Sequence, residues 1–255
     1  MRMADAILQT RGLSKTFAGF TAVSGIDLDV ERGSIHALIG PNGAGKTTVF
    51  NLLTRFIAPS AGSIVYDGVD ITRTKPTTIA HRGMVRSFQI SAIFPHLSVL
   101  DNVRVALQRH LGLSYHFWRS HKVLDSTNDR AMALLDEVGL AEFADTTAVE
   151  LAYGRKRALE IATTLALDPK LMLLDEPTQG MSAEDVGKVT ALIRQVAADR
   201  TILMVEHNLK VVSTLADRIT VLNRGEILAE GPYAEVSKNP SVMEAYMGSA
   251  EVAHD

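Results

Sequence analysis

The sequence predicts an α/β fold in which a mostly parallel β-sheet lies between layers of helices. Residues 35–39 and 171–174 form short, largely apolar segments, which suit strands buried on both faces of a sheet. A third apolar segment, 202–205, follows a helical pattern at 182–196. Strands that alternate with helices imply parallel pairing, with helices covering both faces of the sheet.

Further strands are predicted towards both ends of the chain. Residues 26–31 alternate apolar with acidic side chains, which predicts a strand with one wet face, and residues 63–66 predict another strand. Residues 219–222 and 227–229 flank Arg224-Gly225, which is typical of a hairpin.

Helical patterns fill the intervals between these strands. A helix after the glycine-rich loop places four apolar residues on one face: Val49, Leu52, Leu53 and Phe56. Ser182 is the predicted N-cap of a later helix, which has a buried stripe formed by Val186, Val189, Ile193 and Val196. Residues 98–168 are mainly helical and interrupt the alternation, so we expect a helical lobe there, within a single domain that spans residues 1–255.

The composition excludes several classes of function. The chain has 255 residues, a net charge of −3 and no basic run, which argues against nucleic-acid binding. It has no cysteine, which excludes disulfides, thiolate metal sites and cysteine nucleophiles and fits a reducing cytosol. No segment approaches the ~20 apolar residues that cross a bilayer. We therefore expect any role at a membrane to depend on a partner.

The most specific motif is the glycine-rich loop at 40–48, which matches the pattern G-x-x-x-x-G-K-[ST] between a buried strand and a helix. Glycines let successive backbone N–H groups point at one anion, and the helix N-terminus adds positive charge. Lys46 is predicted to reach the β- and γ-phosphates, and the Thr47 hydroxyl to bind Mg²⁺. The predicted phosphate-binding residues are Gly40, Pro41, Asn42, Gly43, Ala44, Gly45, Lys46, Thr47 and Thr48.

Two carboxylates follow the apolar segment at 171–174. Asp175 and Glu176 emerge at the carboxyl end of this predicted strand, where ligands sit in parallel sheets. Asp175 is predicted to orient the magnesium shell, and Glu176 to polarise the attacking water as a general base. Adjacent residues on a strand point to opposite faces, so we expect the two acids to have different roles.

The order of motifs resembles that of the ATP-binding cassette (ABC) proteins over nearly the whole chain. The glycine-rich loop is followed by residues 87–89, which look like the family's Q-loop, and by 151–155 at the position of the signature motif. Residues 175–178 and then 205–207, which resemble the H-switch, complete the series. The resemblance implies a P-loop NTPase core with an antiparallel β subdomain and an α-helical subdomain, and it implies ATP and Mg²⁺ as cofactors.

The same resemblance implies further site residues. Gln89 would contact Mg²⁺ or the attacking water and sense a membrane partner. His207 would contact the γ-phosphate and hold the water against Glu176. Phe17 looks like the aromatic residue that stacks on adenine; the alternative is that it belongs to the core.

Cassettes of this family work as head-to-tail dimers, in which one chain's signature faces the other chain's phosphate loop. Ala152, Tyr153 and Gly154 would therefore contact the partner's nucleotide. No arginine occupies an obvious position in cis to neutralise transition-state charge, and a helix N-terminus from a second subunit could do part of that work. The signature departs from Leu-Ser-Gly-Gly-Gln at Ala152, Tyr153 and Arg155, and Ser182 stands where the family usually has Asp.

Three segments resemble cassettes of branched-chain or other hydrophobic amino-acid importers: 151–157, 177–182 and the tail at 239–248. The tail predicts a helical extension at about 239–250. The resemblance implies an ATPase peripheral to the cytoplasmic face of the inner or plasma membrane. Its partners would be transmembrane permease subunits, a second cassette and, indirectly, a substrate-binding protein, with no nucleic acid. Alternatives are a urea or amide importer, a lipopolysaccharide-type exporter and a cassette ATPase outside transport.

Two segments leave their roles open at this stage. Ile93, Phe94 and Leu97 are either exposed apolar anchors for a membrane partner or part of the helical lobe. His110, His116 and His121 lie close together, but no acidic or cysteine ligand joins them, so we expect a solvated or partner-facing segment there rather than a metal site.

Overall fold

A computed structural model describes residues 5–87, 93–108 and 127–251 of the chain. The strands in these ranges are β1 (Ala6–Phe17), β2 (Phe20–Ile26), β3 (Asp29–Glu31), β4 (Ile35–Ile39), β5 (Ala61–Tyr66), β6 (Val69–Asp70), β7 (Met84–Arg86), β8 (Leu171–Asp175), β9 (Thr201–Val205), β10 (Arg218–Asn223) and β11 (Glu226–Gly231). The α-helices are α1 (Lys46–Leu53), α2 (Pro76–His81), α3 (Val99–Leu107), α4 (Asn128–Glu137), α5 (Tyr153–Leu165), α6 (Ala183–Val196), α7 (Leu209–Leu215), α8 (Tyr233–Val236) and α9 (Pro240–Glu251).

Six strands form the central sheet, in the order β11-β10-β4-β9-β8-β7. The pairs β10–β4, β4–β9, β9–β8 and β8–β7 are parallel, whereas β11 joins β10 as an antiparallel hairpin. The predicted parallel sheet and the predicted hairpin are therefore confirmed. The carboxyl ends of β4, β8 and β9 meet at one edge of this sheet, which carries the candidate site.

The remaining strands form a second sheet, in which β1 pairs antiparallel with β2, β3 and β5, and β5 pairs with β6. It is the antiparallel β subdomain that the family resemblance implied. Its apolar residues share one core with α1 and one face of the central sheet.

The central sheet separates two hydrophobic cores because successive residues on a strand point to opposite faces. On β8, Met172 and Leu174 face the helical side, and Leu171 and Leu173 face α1 and the antiparallel sheet. All four are at most 1% exposed. Burial on both faces explains why the sequence of β8 is continuously apolar.

Helices α3, α4 and α5 pack on one another, and α5 also packs on α6. They lie within the predicted helical lobe, 98–168, of which residues 109–126 fall outside the described part of the chain. The boundaries of the lobe and of the C-terminal extension stay predictions. Of the helices in the described ranges, none is both long and apolar enough to cross a membrane.

The strand predicted at 26–31 is interrupted by Asp27 and Leu28. Asp27 Oδ1 accepts a hydrogen bond from the backbone N–H of Gly12 (2.6 Å), and the Leu28 N–H donates to the Thr10 hydroxyl (3.0 Å). The Leu28 carbonyl still accepts a backbone hydrogen bond from the Thr10 N–H (2.8 Å), but side chains take two other positions of the strand ladder. The prediction of one continuous strand was therefore wrong.

The apolar stripe of α1 is shorter than predicted. Val49, Leu52 and Leu53 are buried, but α1 ends at Leu53 and Phe56 is 57% exposed. Arg55 follows with a φ of 60°, in the left-handed region that commonly terminates helices. The assignment of Phe56 to the buried face was therefore wrong.

Candidate functional site

The loop at 40–48 joins the carboxyl end of β4 to α1 and is held by close backbone contacts. A Cβ atom on Gly40 would lie 2.2 Å from the Leu222 carbonyl oxygen, and one on Gly45 would lie 2.8 Å from that of Ala22. Both positions therefore require glycine. The first N–H groups of a helix have no intrahelical acceptor, so the start of α1 can receive an anionic ligand.

Distant parts of the chain support this loop. The Gly225 N–H in the β10–β11 hairpin donates to the Ala44 carbonyl (3.0 Å), and the Ser24 N–H donates to the Gly225 carbonyl (2.8 Å). On α9, burial raises the pKa of Tyr246 to about 12, opposed by a hydrogen bond from the Gly40 backbone. The hairpin and the C-terminal helix thus both reach the loop.

Lys46, at the first position of α1, is 9% exposed. Its ammonium donates to the carbonyl oxygens of Gly40 (2.7 Å) and Pro41 (3.0 Å), which hold it against the loop. Burial lowers the pKa of Lys46, and the negative charges of Glu176 and Asp175 oppose this effect. The structure therefore brings the predicted phosphate lysine and the two predicted acids into one electrostatic environment.

Asp175 ends β8 and is 2% exposed. Its carboxylate forms an ion pair with Arg86 at the end of β7. Arg86 also donates to Asn51 Oδ1 (2.6 Å) and lies over the Phe50 ring of α1 (5.6 Å to the centroid). Arg86 thus joins Asp175 to the helix that follows the phosphate loop, and its charge is taken up by the Asp175 carboxylate.

Glu176 does not continue β8 as a strand residue. Its φ is 47°, in the left-handed region, and its N–H donates to the Val205 carbonyl at the end of β9 (2.9 Å). The expectation of two adjacent strand residues on opposite faces is corrected, because the chain turns sharply after Asp175. The Glu176 side chain is 20% exposed, whereas that of Asp175 is 3% exposed.

His207 faces Glu176, with 3.9 Å between its Nδ1 and Glu176 Oε1. The preceding residue, Glu206, is fully buried and was not predicted as a site residue. Glu206 Oε1 accepts from the Thr178 N–H (3.0 Å) and hydroxyl (2.6 Å), and Oε2 accepts from the N–H groups of His207 (3.1 Å) and Asn208 (3.2 Å). One buried carboxylate thus ties the segment after Glu176 to the segment that carries His207.

The signature segment forms the N-terminus of α5. Ala152 is the N-cap, with an extended backbone (φ −60°, ψ 155°) and no side-chain acceptor for the first turn. Tyr153 is 56% exposed, and its hydroxyl donates to the Gln179 carbonyl (3.2 Å). The non-standard tyrosine therefore bridges the signature and the loop after the carboxylates. Arg155 stacks on Phe143, 4.0 Å from the ring centroid.

Phe17 lies at the end of β1, opposite Phe20 of β2, and is 43% exposed. The Lys15 ammonium lies 4.9 Å from the centroid of its ring. A partly exposed aromatic ring at this position can stack on a planar base. An exposed fraction of 43% is larger than that of a residue in the hydrophobic core.

Other predicted residues fall elsewhere. Gln89 and the three histidines at 110, 116 and 121 lie outside the described residues. Phe94 is 51% and Leu97 is 37% exposed, whereas Ile93 packs against the core. In the described ranges, no group of three or more His, Asp or Glu residues could hold a metal ion by itself.

The donor set fits a nucleotide with Mg²⁺. The glycines let the loop pack on the carbonyl groups of Leu222 and Ala22 and curve around the start of α1, and Lys46 supplies the countercharge to phosphates. Mg²⁺ takes one or two protein oxygens together with substrate phosphates, and Thr47 and Asp175 offer a hydroxyl and a carboxylate. The fold and this site together define a P-loop ATPase of the ATP-binding cassette type.

Comparison with known proteins narrows this class. The family model "ABC transporter" matches residues 23–179, and the model "Branched-chain amino acid ATP-binding cassette transporter" matches residues 226–252. The chain therefore belongs to the ABC transporter family, and it is an ATP-binding, ATP-hydrolysing subunit of that family.

Relatives of known name match over nearly their full length. The chain is 39% identical over 258 residues to the high-affinity branched-chain amino acid transport ATP-binding protein BraF of Pseudomonas aeruginosa, with 97% of this chain and 100% of the relative covered. It is 37% identical over 255 residues to LivG of Escherichia coli, which bears the same description, with the same coverage. The crystal structure of the ADP conformation of MJ1267, an ATP-binding cassette of an ABC transporter, superposes with a TM-score of 0.84 at 29% identity and covers 95% of this chain and 99% of its own.

Proposed function

We propose that this chain supplies ATP hydrolysis to an importer of branched-chain or related amino acids. The transport described for BraF and LivG supports this cargo class, as does the match of residues 226–252 to a family model of that description. The observation that carries the ATPase part is the placement of Lys46, Asp175, Glu176 and His207 around one sheet edge.

In the proposed mechanism, the N–H groups of residues 40–48 and the Lys46 ammonium hold the phosphates. Thr47, Asp175 and Gln89 are the proposed magnesium ligands, and bound Mg²⁺ supplies charge neutralisation at the β- and γ-phosphates. Glu176 accepts a proton from the attacking water. His207 holds the Glu176 carboxylate and the water in line with the γ-phosphoryl group. Phe17 stacks on adenine.

We propose that the exposed N-terminus of α5 completes the site of a second cassette. Ala152 and Tyr153 are exposed, so these residues can face a partner chain. The helix N-terminus carries partial positive charge, which stabilises negative charge on the partner's γ-phosphate. The second cassette is either another copy of this chain or a different one.

A groove of about 490 Å³ between α2, α3 and α5 is the proposed contact with a permease subunit. Its walls are mainly apolar, and the exposed rings of Phe56 and Phe94 lie at it. Arg86 and Ser87 also line the groove. The groove therefore reaches the end of β7, where Arg86 pairs with Asp175. We propose that an apolar helical segment of the permease docks here and holds the chain at the cytoplasmic face of the membrane.

Co-expression tests this proposal. The chain is produced with two permease subunits, a second cassette and a substrate-binding protein of a branched-chain amino acid importer. We expect it to sediment with membranes only when the permeases are present, and leucine-loaded binding protein to stimulate ATP hydrolysis in vesicles.

The Lys46→Ala variant should still sediment with membranes but bind ATP weakly. ATPase activity that ignores every branched-chain amino acid would overturn the cargo, and ATP affinity unchanged in Lys46→Ala would overturn the phosphate role.

A further inference from the structure

Arg157 lies in the second turn of the signature helix α5 and contacts the catalytic turn. It is 8% exposed. Its Nε donates to the Pro177 carbonyl (3.0 Å), and its Nη2 donates to the carbonyls of Glu176 (3.0 Å) and Asp175 (3.4 Å). One guanidinium thus binds three consecutive carbonyl oxygens of the turn.

The charge of Arg157 is compensated on its own helix. Glu160, which is 6% exposed, accepts a hydrogen bond from Arg157 Nη1 (2.5 Å). A buried charge needs such a partner, because desolvation of an isolated ion is costly. The ion pair fixes the orientation of the planar Arg157 guanidinium. The guanidinium N–H groups, which point in set directions, then fix the positions of the carbonyl groups that they bind.

The turn requires an external constraint. Glu176 has a φ of 47°, and a non-glycine residue in this region costs of order 1 kcal/mol or more. The hydrogen bonds from Arg157 compensate for this strain on one side of the turn, and Glu206 binds Thr178 on the other side. The Tyr153 hydroxyl, also on α5, holds the Gln179 carbonyl.

We propose that Arg157 is a positioning residue that sets the location of the Glu176 carboxylate through its backbone, with Glu160 as its anchor. The inference rests on the proposed role of Glu176 as the general base. Because Arg157 belongs to the signature helix, a displacement of that helix by a partner chain is transmitted to the catalytic turn of the same chain. A general base displaced by about 1 Å loses of the order of 10²-fold in rate.

The test compares Arg157→Lys, which keeps the charge but loses the planar fork, with Glu160→Gln, which weakens the anchor. Arg200→Lys is the matched control, since Arg200 is a largely buried arginine paired with Glu137 (3.3 Å) away from the turn. We expect kcat to fall about 10- to 100-fold in Arg157→Lys and less in Glu160→Gln. ATP affinity should stay within about threefold of wild type in both, and Arg200→Lys should keep the wild-type kcat.

A double-mutant cycle separates positioning from a general structural role. If Arg157 acts only through Glu176, adding Arg157→Lys to Glu176→Gln causes no further loss of single-turnover rate. A further loss equal to that in the wild-type background would overturn the inference, as would a wild-type kcat in folded Arg157→Lys or Glu160→Gln. A wild-type protein without ATPase activity would instead overturn the proposed function, and full activity in Glu176→Gln would overturn the role of Glu176 on which the inference rests.

Discussion

At the scale of residues, contacts with neighbouring residues set the positions of the acidic side chains at this site. Asp175 is buried with Arg86, and Glu176 is placed by a left-handed backbone and by contacts from two other elements. Glu206, which is adjacent to His207 in sequence, forms four hydrogen bonds that join two segments of the site. The reactive geometry is therefore a property of the buried polar network around the turn.

Glu176→Gln should abolish steady ATP hydrolysis and leave ATP binding intact. The amide is nearly isosteric with the carboxylate and keeps the turn, but it cannot accept the proton of the attacking water. Steady-state ATPase assays and equilibrium binding of ATP check this outcome. Asp136→Asn, the same kind of change at an exposed acid of α4, serves as the control. Turnover at the wild-type rate in Glu176→Gln would remove this residue as the base.

At the scale of elements, the N-termini of α5 and α6 differ in their caps. Ser182 caps α6, and its side chain accepts a hydrogen bond from the Asp185 N–H (3.2 Å). Ala152 holds the equivalent position on α5 with the same extended backbone but offers no acceptor. The signature helix therefore has uncapped N–H groups at the end that we propose faces the second cassette.

Ala152→Ser should stabilise α5 by about 1 kcal/mol, because the hydroxyl supplies the missing cap, and should raise turnover in the assembled transporter. Chemical denaturation of the isolated chain measures the first effect, and ATPase assays of the transporter measure the second. Ser182→Ala is the reciprocal change and should destabilise by about 1 kcal/mol. Unchanged or reduced turnover in Ala152→Ser would contradict the idea that the variant signature weakens the composite site.

At the scale of the whole molecule, the central sheet carries a buried histidine on β4, far from the turn at Glu176 in the sequence. His36 on β4 is fully buried, and its Nε2 lies 2.8 Å from the Thr220 hydroxyl of β10. Burial, with a smaller contribution from the positive charge of Arg218, lowers the pKa of His36 to about 4. Glu230 of β11 pairs with Arg218 and also contacts Thr220 (3.2 Å).

The protein should lose stability as the pH falls from 6.5 to about 4. An unfolded histidine binds a proton below its ordinary pKa of 6.5, whereas folded His36 resists protonation until about pH 4, so acid favours the unfolded chain. The loss attributable to His36 is about 3 kcal/mol at pH 4. Urea unfolding of wild type and His36→Gln at pH 7.5 and pH 4.5 measures it, because the variant should lack this share of the pH dependence. Equal pH dependence in the two proteins would contradict the prediction.

Short-range patterns predicted much of this molecule. Several predicted features lie where the sequence analysis expected them: the strands at 35–39 and 202–205, the hairpin around Arg224-Gly225 and the cap at Ser182. The spacing of apolar residues and the residue types that form turns and caps are local properties of the chain. The end of α1 before Phe56 was not predicted, because it depends on a left-handed Arg55 that no local pattern indicates.

The sequence by itself determined the fold class, the phosphate loop and the order of the site motifs. Each strand, helix and motif is a pattern of residues near one another in the chain, and the order of these patterns can be read along the sequence. Only the tertiary structure decided the ion pair of Arg86 with Asp175, the left-handed turn at Glu176 and the contacts of Arg157 with that turn. Arg86 and Asp175 are 89 positions apart in the chain. Contacts over such separations arise only when strands and helices pack into one core, and for that reason no local pattern in the sequence reports them.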